Sequence, residues 1–405
     1  IYVNNGANVK LLNSLSFSPR NSFNINSGGI FDPNAKTFTF TAGTIIVNTG
    51  GVITGTIGDA AVMQSQNNVT FIFRNGSTFN SSIRVNTGTL TAYNDQSPFL
   101  GNFYGNVIVD AGATLTQPAG GYTTQANSGV SNNGTITSPF GGNTFRVKGG
   151  VFINNSSVSV QNLNFDTTTL IIGTGTYTGQ NISIGSSGNV SLSNNVTFSP
   201  SSVMTIVSGG ILNPNAKTFN FNSETFRLNS GATVTNSGIF QTQNTVDLII
   251  KSGSNFNVPL KVNTCTTITY DDGSPYLAKF KGTITIDAGA VLNVKDGGYY
   301  TQANNIITIN GSIAGNGSAF YMKGATLTNN GSVSVSALEF DSVTSIAGTG
   351  TYTSNTILIG STSNVTITNN VKFAESGYER DCLIEQVNCG WPRYLFTVKR
   401  DALDY

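Results

Sequence analysis

The stretch FDPNAKTFTF at positions 31–40 returns as LNPNAKTFNF at 212–221, an offset of 181. Apolar and polar residues alternate within it, the period of a half-buried strand. The duplication decides the fold because it extends outward on both sides. Downstream, SPFLGNFYGNVIVDAGATL from Ser97 matches SPYLAKFKGTITIDAGAVL from Ser274 at an offset of 177, and FDTTTLIIGTGTYT from Phe165 matches FDSVTSIAGTGTYT from Phe340 at 175. The shrinking offset means small deletions, which turns absorb more readily than strands. Upstream, NVKLLNSLSFSP from Asn8 resembles NVSLSNNVTFSP from Asn189 and NVTITNNVKFAE from Asn364. The chain therefore reads as the end of one copy at 1–16, copy A at 17–197 and copy B at 198–372, about 178 residues each.

Inside each copy a shorter unit recurs, a strand broken by a glycine corner: INSGGIF, VNTGGVI, VDAGATL, IVSGGIL, LNSGATV, IKSGSNF and IDAGAVL. Several corners share one spacing: Gly28 and Gly50, Gly112 and Gly134, Gly209 and Gly231, Gly231 and Gly253, Gly289 and Gly311. That beat suits one rung of a parallel β-helix, two or three short strands joined by turns, and is too short for a β-sandwich. One rung cannot bury its Val, Ile and Phe alone, whereas stacked rungs share a continuous apolar column. Glycine supplies the positive φ, or the missing Cβ, that a sharp corner needs. Asn beside the corners can stack on Asn of the next rung. The fold expected is all-β, a right-handed parallel β-helix (β-solenoid) with rungs of about 22 residues.

Composition agrees and removes several functions. Of 405 residues only 39 are charged, the net charge is +1, and Ser, Thr and Asn fill the polar positions. No basic run offers a footprint for nucleic acid. Disorder is excluded because 25 Phe, 14 Tyr and many Val and Ile are spread evenly through the chain. No run of about 18 apolar residues is present, so no transmembrane helix is expected. Three cysteines are too few for a disulfide framework.

With no His, Ser-His-Asp and Cys-His systems and imidazole-ligated catalytic zinc are ruled out. Carboxylate chemistry remains. The nearest thing to an acid pair is Asp271–Asp272 in YDDGSPY, but the first copy reads YNDQSPF, with Asn94 in place of Asp271. Turn residues ahead of Gly explain the pair better than a glycosidase dyad does. Asp110 and Asp287, in DAGA, precede a glycine and read as turn formers, and Asp166 and Asp341 as corner residues. Calcium-binding nonapeptides and EF-hand loops are missing, so no metal and no cofactor is expected. GTGTYT at Gly173 and Gly348 lacks the Lys and helix of a phosphate loop and reads as a tight turn. Thr-x-Thr pairs, as in TFTFT at Thr37 and in TGTYT, raise the idea of a flat Thr face that orders water, as in ice-binding solenoids. They do not recur once per rung at the spacing of the corners, and the idea is set aside.

After Phe373 the repeat stops. Residues 374–405 carry 10 of the 39 charges, the single Trp391, and Cys382 and Cys389, which could form a disulfide or stand as free thiols. A solenoid end exposes unpaired strand edges, so a terminal cap of different composition fits here, as does the start of another segment.

The tandem copies, Gly corners, NNG, TGT and SGG turns and alternating Val, Ile and Phe of 1–373 resemble the solenoid stalks of large bacterial surface proteins, autotransporter passengers and other repeat adhesins. The resemblance implies export to the cell surface or beyond, with any signal outside this stretch, and a non-enzymatic structural or adhesive stalk or fibre. It implies self-association or neighbouring repeats as partners, with surface glycans or a host cell surface as ligands. A carbohydrate-active β-helix (lyase or glycosidase) and a phage-type fibre or tailspike are the alternatives.

Overall fold

A computed structural model describes residues 1–18, 21–55, 61–74, 76–94, 102–103, 105–119, 121–123, 128–138, 144–235, 237–263, 267–271, 279–280, 282–294, 298–301, 305–324, 326–341, 344–359, 365–368, 372–374 and 394–395. Among them every regular element is a β-strand, and all but Tyr394–Leu395 stack in parallel as a β-solenoid with turns of about 21 residues. The chain divides into two compact units, Ile1–Ser223 and Glu224–Tyr405.

In the first unit the strands form three columns. One runs from Tyr2–Val3 through Ser22–Ile25, Thr44–Val47, Val69–Phe73, Thr89–Asn94 and Thr114–Ala119 to Thr135–Thr137, and on through the first halves of Ser157–Phe165, Thr176–Ile184 and Val196–Ile206. A second runs from Leu15–Phe17 through Thr37–Phe40 and Val62–Ser65 to Thr168–Ile172 and Asn189–Leu192. The third begins Asn8–Lys10, Ile30–Asp32, Val52–Ile53 and Thr78–Phe79. It resumes from Gly121–Thr123 into the second halves of the long strands, where the register still links Phe165, Ile184 and Ile206.

Alternation along each strand sends one residue in and the next out. In Thr37–Phe40 the two Phe are buried and the two Thr half-exposed. The inward residues pack on those of neighbouring turns, so Phe23, Phe31, Phe38 and Phe40 form one ring cluster with centroids 4.4–5.9 Å apart.

The corners work in two ways. At Gly28 and Gly50 φ is +73° and +75°, and each amide turns along the axis: the Gly28 N–H donates to the Gly50 carbonyl at 3.0 Å. Gly112, Gly209, Gly231, Gly253 and Gly289 share the positive φ. Gly134 and Gly311 do not. They stack on Ala113 and Ala290, not on Gly112 and Gly289, because the register there pairs Thr114 with Thr135 and Val291 with Ser312. A Cβ at Gly134 would run into the carbonyl oxygens of Ala113 and Asp110, and one at Gly311 into those of Ala290 and Asp287. These two glycines serve close backbone approach.

Asn ladders cross the turns beside the corners, as the sequence predicts. Asn26 Nδ2 donates to Asn4 Oδ1 and Asn48 Nδ2 to Asn26 Oδ1, both at 2.8 Å. A buried pair, Asn132 Nδ2 to Asn154 Oδ1 at 2.9 Å, is completed by Asn154 Nδ2 donating to the Thr176 carbonyl at 3.1 Å.

Equivalent segments of successive copies do not share a column. Asn8–Lys10 lies in the third column and its counterpart Asn189–Leu192 in the second. Leu15–Phe17 lies in the second and its counterpart, the start of Val196–Ile206, in the first. One copy therefore spans a whole number of turns and a fraction, moving each motif round by one face.

The second unit uses the same pairing. Thr225–Leu228, Val246–Ile250, Thr267–Asp271, Val291–Val294, Ser312–Lys323, Ser332–Asp341, Thr351–Ile359 and Lys372–Ala374 stack in register. Of residues 375–405 only Tyr394 and Leu395 are described, paired antiparallel with Ile359 and Leu358.

Candidate functional site

The first column of the Ile1–Ser223 unit carries an array that its sequence spacing hides. On six consecutive turns the strand presents hydroxyls at two outward positions flanking one buried apolar residue: Thr89 and Thr91, Thr114 and Thr116, Thr135 and Thr137, Ser157 and Ser159, Thr176 and Thr178, Thr197 and Ser199. The residues between them, Leu90, Leu115, Ile136, Val158, Tyr177 and Phe198, are all buried, so the array stands on core. Each outward residue lies directly opposite the equivalent one on the next turn. The second file continues without a break to Thr70, Thr44 and Ser22.

Neighbouring strands lie about 4.8 Å apart and alternate residues about 6.6 Å apart along a strand, so the twelve hydroxyls form a two-dimensional grid about 24 Å long. The register irregularities of these strands fall beyond the grid, after Thr91 and after Gly179. Every grid position is half-exposed or exposed. Ser157 Oγ reaches toward Thr135 Oγ1 at 3.5 Å, and Thr178 Oγ1 donates to the Val158 carbonyl at 3.4 Å.

Thr-x-Thr pairs do not recur at the corner spacing, as the sequence reads, but hydroxyl, apolar, hydroxyl triplets stand together on consecutive turns. Successive grid members are unevenly spaced along the chain: the step from Ser157 to Thr176 is the shortest and that from Thr89 to Thr114 the longest, so a comb fixed to the corner spacing misses them. GTGTYT is both a turn and a grid member: Gly173 has φ +96°, and Thr176 and Thr178 follow it on the strand. Scanning for hydroxyl, apolar, hydroxyl triplets at variable spacing would have found the array.

In the second unit the corresponding strands retain three hydroxyl-bearing turns: Ser312 with Ala314, Ser332 with Ser334, and Thr351 with Thr353. Below them stand Val291 and Asn293, which interrupt the grid.

The carboxylates singled out in the sequence pair along the axis. Asp110 Oδ2 accepts from Arg84 Nε at 2.7 Å and from Asn86 Nδ2 at 2.9 Å, while its carbonyl closes the corner by accepting from the Ala113 amide at 3.0 Å. Asp287 repeats this with Lys261 at 3.6 Å and the Ala290 amide. Asp166 lies 3.8 Å from Arg146 of the preceding turn. Asp271 ends the strand Thr267–Asp271, its backbone opposite Ile249. Its side chain, Asp272, Cys382 and Cys389 lie outside the described residues.

Two buried phenols sit under the hydroxyl strands, Tyr177 in the first unit and Tyr352 in the second. Burial pushes the Tyr177 hydroxyl far above its ordinary 10.0, and the dipole of nearby Asn154 offsets part of the rise; Tyr352 behaves alike beside Asn329. Neither hydroxyl has a partner in hydrogen-bonding geometry, so the Asn groups act at a distance. A raised folded value means the native state holds a proton that the unfolded chain releases above pH 10, so stability is complete below that pH and falls as pH rises through it. Tyr177→Phe is expected to leave stability at pH 7 within about 1 kcal/mol and to flatten the loss between pH 10 and 12, measured by urea midpoints across pH. An unchanged alkaline slope would refute this assignment.

Among the described residues no group of three or more His, Cys, Asp or Glu is placed to hold a metal ion, and no helix is long and apolar enough to cross a membrane. The chain matches no protein-family model, no curated protein sequence and no solved structure with which it was compared.

Proposed function

We propose that this chain is a non-enzymatic segment of an extracellular stalk or fibre that acts by adhesion through its faces. The observation that carries the reading is the hydroxyl grid: twelve uncharged side chains set in register on a scaffold whose inward residues are core. Such a surface holds a ligand by many weak, simultaneous contacts, whereas hydrolysis of a glycosidic bond needs a converging pair of carboxyl groups. Asp32, Asp110, Asp166 and Asp287 pair instead with cations of the preceding turn. Location at the cell surface, and neighbouring repeats or, on faces other than the grid, surface glycans as partners, belong to the same proposal.

The test is incubation of the full chain with a panel of soluble and insoluble polysaccharides, followed by reducing-end and unsaturated-product assays. No turnover is expected. Turnover that Asp271→Asn or Asp272→Asn abolishes would overturn the reading in favour of a carbohydrate-active enzyme.

A further inference from the structure

The hydroxyl grid has a chemistry specific enough to name a ligand, and the naming does not depend on the chain being a stalk. Four properties bear on it. Its repeat is two-dimensional, about 4.8 Å across the strands and about 6.6 Å along them, spacings of the same order as the oxygen–oxygen repeats on the faces of crystalline ice. Each Thr adds a methyl group beside its hydroxyl, and nine of the twelve positions are Thr. A surface alternating hydroxyl and methyl groups anchors some water molecules by hydrogen bonds and leaves those over the methyls to bond to one another. Every hydroxyl can both donate and accept, so it can replace a water molecule in either role.

The third property is rigidity. The grid residues alternate with fully packed side chains, and Tyr177 and Phe198 beneath it stack with centroids 4.7 Å apart and ring planes 9° apart. The array is therefore ordered before any ligand arrives, which lowers the entropic cost of binding. Fourth, no grid position bears an aromatic ring or a charge. A sugar ring would find no platform to stack on there, and an ionic ligand no counter-charge. Ordered water asks for neither.

We infer that the outward face built on Thr89–Asn94, Thr114–Ala119, Thr135–Thr137 and the first halves of the three long strands that follow binds the surface of ice. The hydroxyls take up positions of the water lattice and the methyls shape the water between them. The three-turn hydroxyl set of the second unit, interrupted by Val291 and Asn293, is too short to hold a crystal face by itself.

The experiment uses the full chain, tagged with a fluorophore, in two readouts: partition into a slowly growing polycrystalline ice hemisphere, and the gap between melting and freezing points of a single crystal. Wild type is expected to enter the ice and to open a measurable gap. Thr137→Lys with Thr178→Lys, in the middle of the grid, should abolish both. Ser131→Lys with Ser191→Lys, half-exposed in the second column, should change neither. Should the lysine pair impair folding, by circular dichroism and urea unfolding, Thr137→Val with Thr178→Val keeps the β-branched shape and removes only the hydroxyls; it should weaken both effects. Exclusion of wild type from ice, equal partition of the grid and second-column variants, or adsorption to crystalline cellulose or chitin that the grid variants abolish while ice partition is unaffected, would each overturn the inference. None of these outcomes bears on polysaccharide turnover, so the two proposals fail separately.

Discussion

Phe198→Ala is expected to cost about 3–5 kcal/mol, the range for emptying a fully buried aromatic site. Phe198 is completely buried. Its ring lies 4.7 Å from Tyr177, 5.2 Å from Phe219 and 6.3 Å from Phe165. The cavity left by alanine would therefore open among several side chains of adjoining turns. Stacked rungs touch only their neighbours, so the loss stays local and need not unfold the whole chain in one step. Native-state hydrogen exchange is the suitable measure. Amides of Thr176–Ile184, Val196–Ile206 and Thr218–Phe221 should lose protection by that amount, while those of Tyr2–Val3 and Ser22–Ile25 should change little. Phe198→Leu, which keeps most of the volume, should cost less than half as much. A uniform loss across the unit would show that its rungs unfold as one block and would contradict the local picture.

The second large effect separates two glycines that look alike in sequence. Gly112 has φ +76° and open space where a Cβ would sit; Gly134 has no such φ, and its Cβ position is blocked by the carbonyl oxygens of Ala113 and Asp110. Asn tolerates the left-handed conformation better than other residues with a side chain, so Gly112→Asn should cost about 1 kcal/mol or less. At Gly134 no rotamer relieves the collision, because it involves backbone. Gly134→Asn and Gly134→Ala should both cost about 3 kcal/mol, the upper part of the range for forcing atoms into filled space, and should also loosen the corner that holds the Arg84–Asp110 pair. Urea midpoints of the three variants test this directly. Equal costs at the two positions would sink the distinction.

These two glycines also show what the sequence could and could not convey. The stacked architecture was legible because it follows from alternation, from glycine at corners and from segments such as 31–40 and 212–221 that repeat in order. Periodicity reports which residues face inward, and the Phe columns lie where it placed them. Register is another matter. Gly112 and Gly134 are spaced like successive corners, yet the pairing of Thr114 with Thr135 sets Gly134 on Ala113. A turn that loses a residue shifts every later alignment, and a linear count cannot see which turn lost it. The same irregularity concealed the hydroxyl grid, whose members are regular in space and uneven along the chain. The aspartates were legible as corner residues, but their cations one turn away, Arg84 and Lys261, were not, because axial neighbours are far apart in sequence.

The one-face advance per copy has a consequence for how such a chain grows. Were a copy a whole number of turns, each gene duplication would extend the same strip, and one side of the protein would gather all of a binding chemistry. Here the segment beginning at Asn8 and its counterpart at Asn189 belong to adjacent columns of three. Within the first unit, the advance by one copy therefore moves a given patch to a neighbouring face. Duplication in this architecture multiplies the directions from which a surface can be met, and leaves the length of any single patch to be set within one copy.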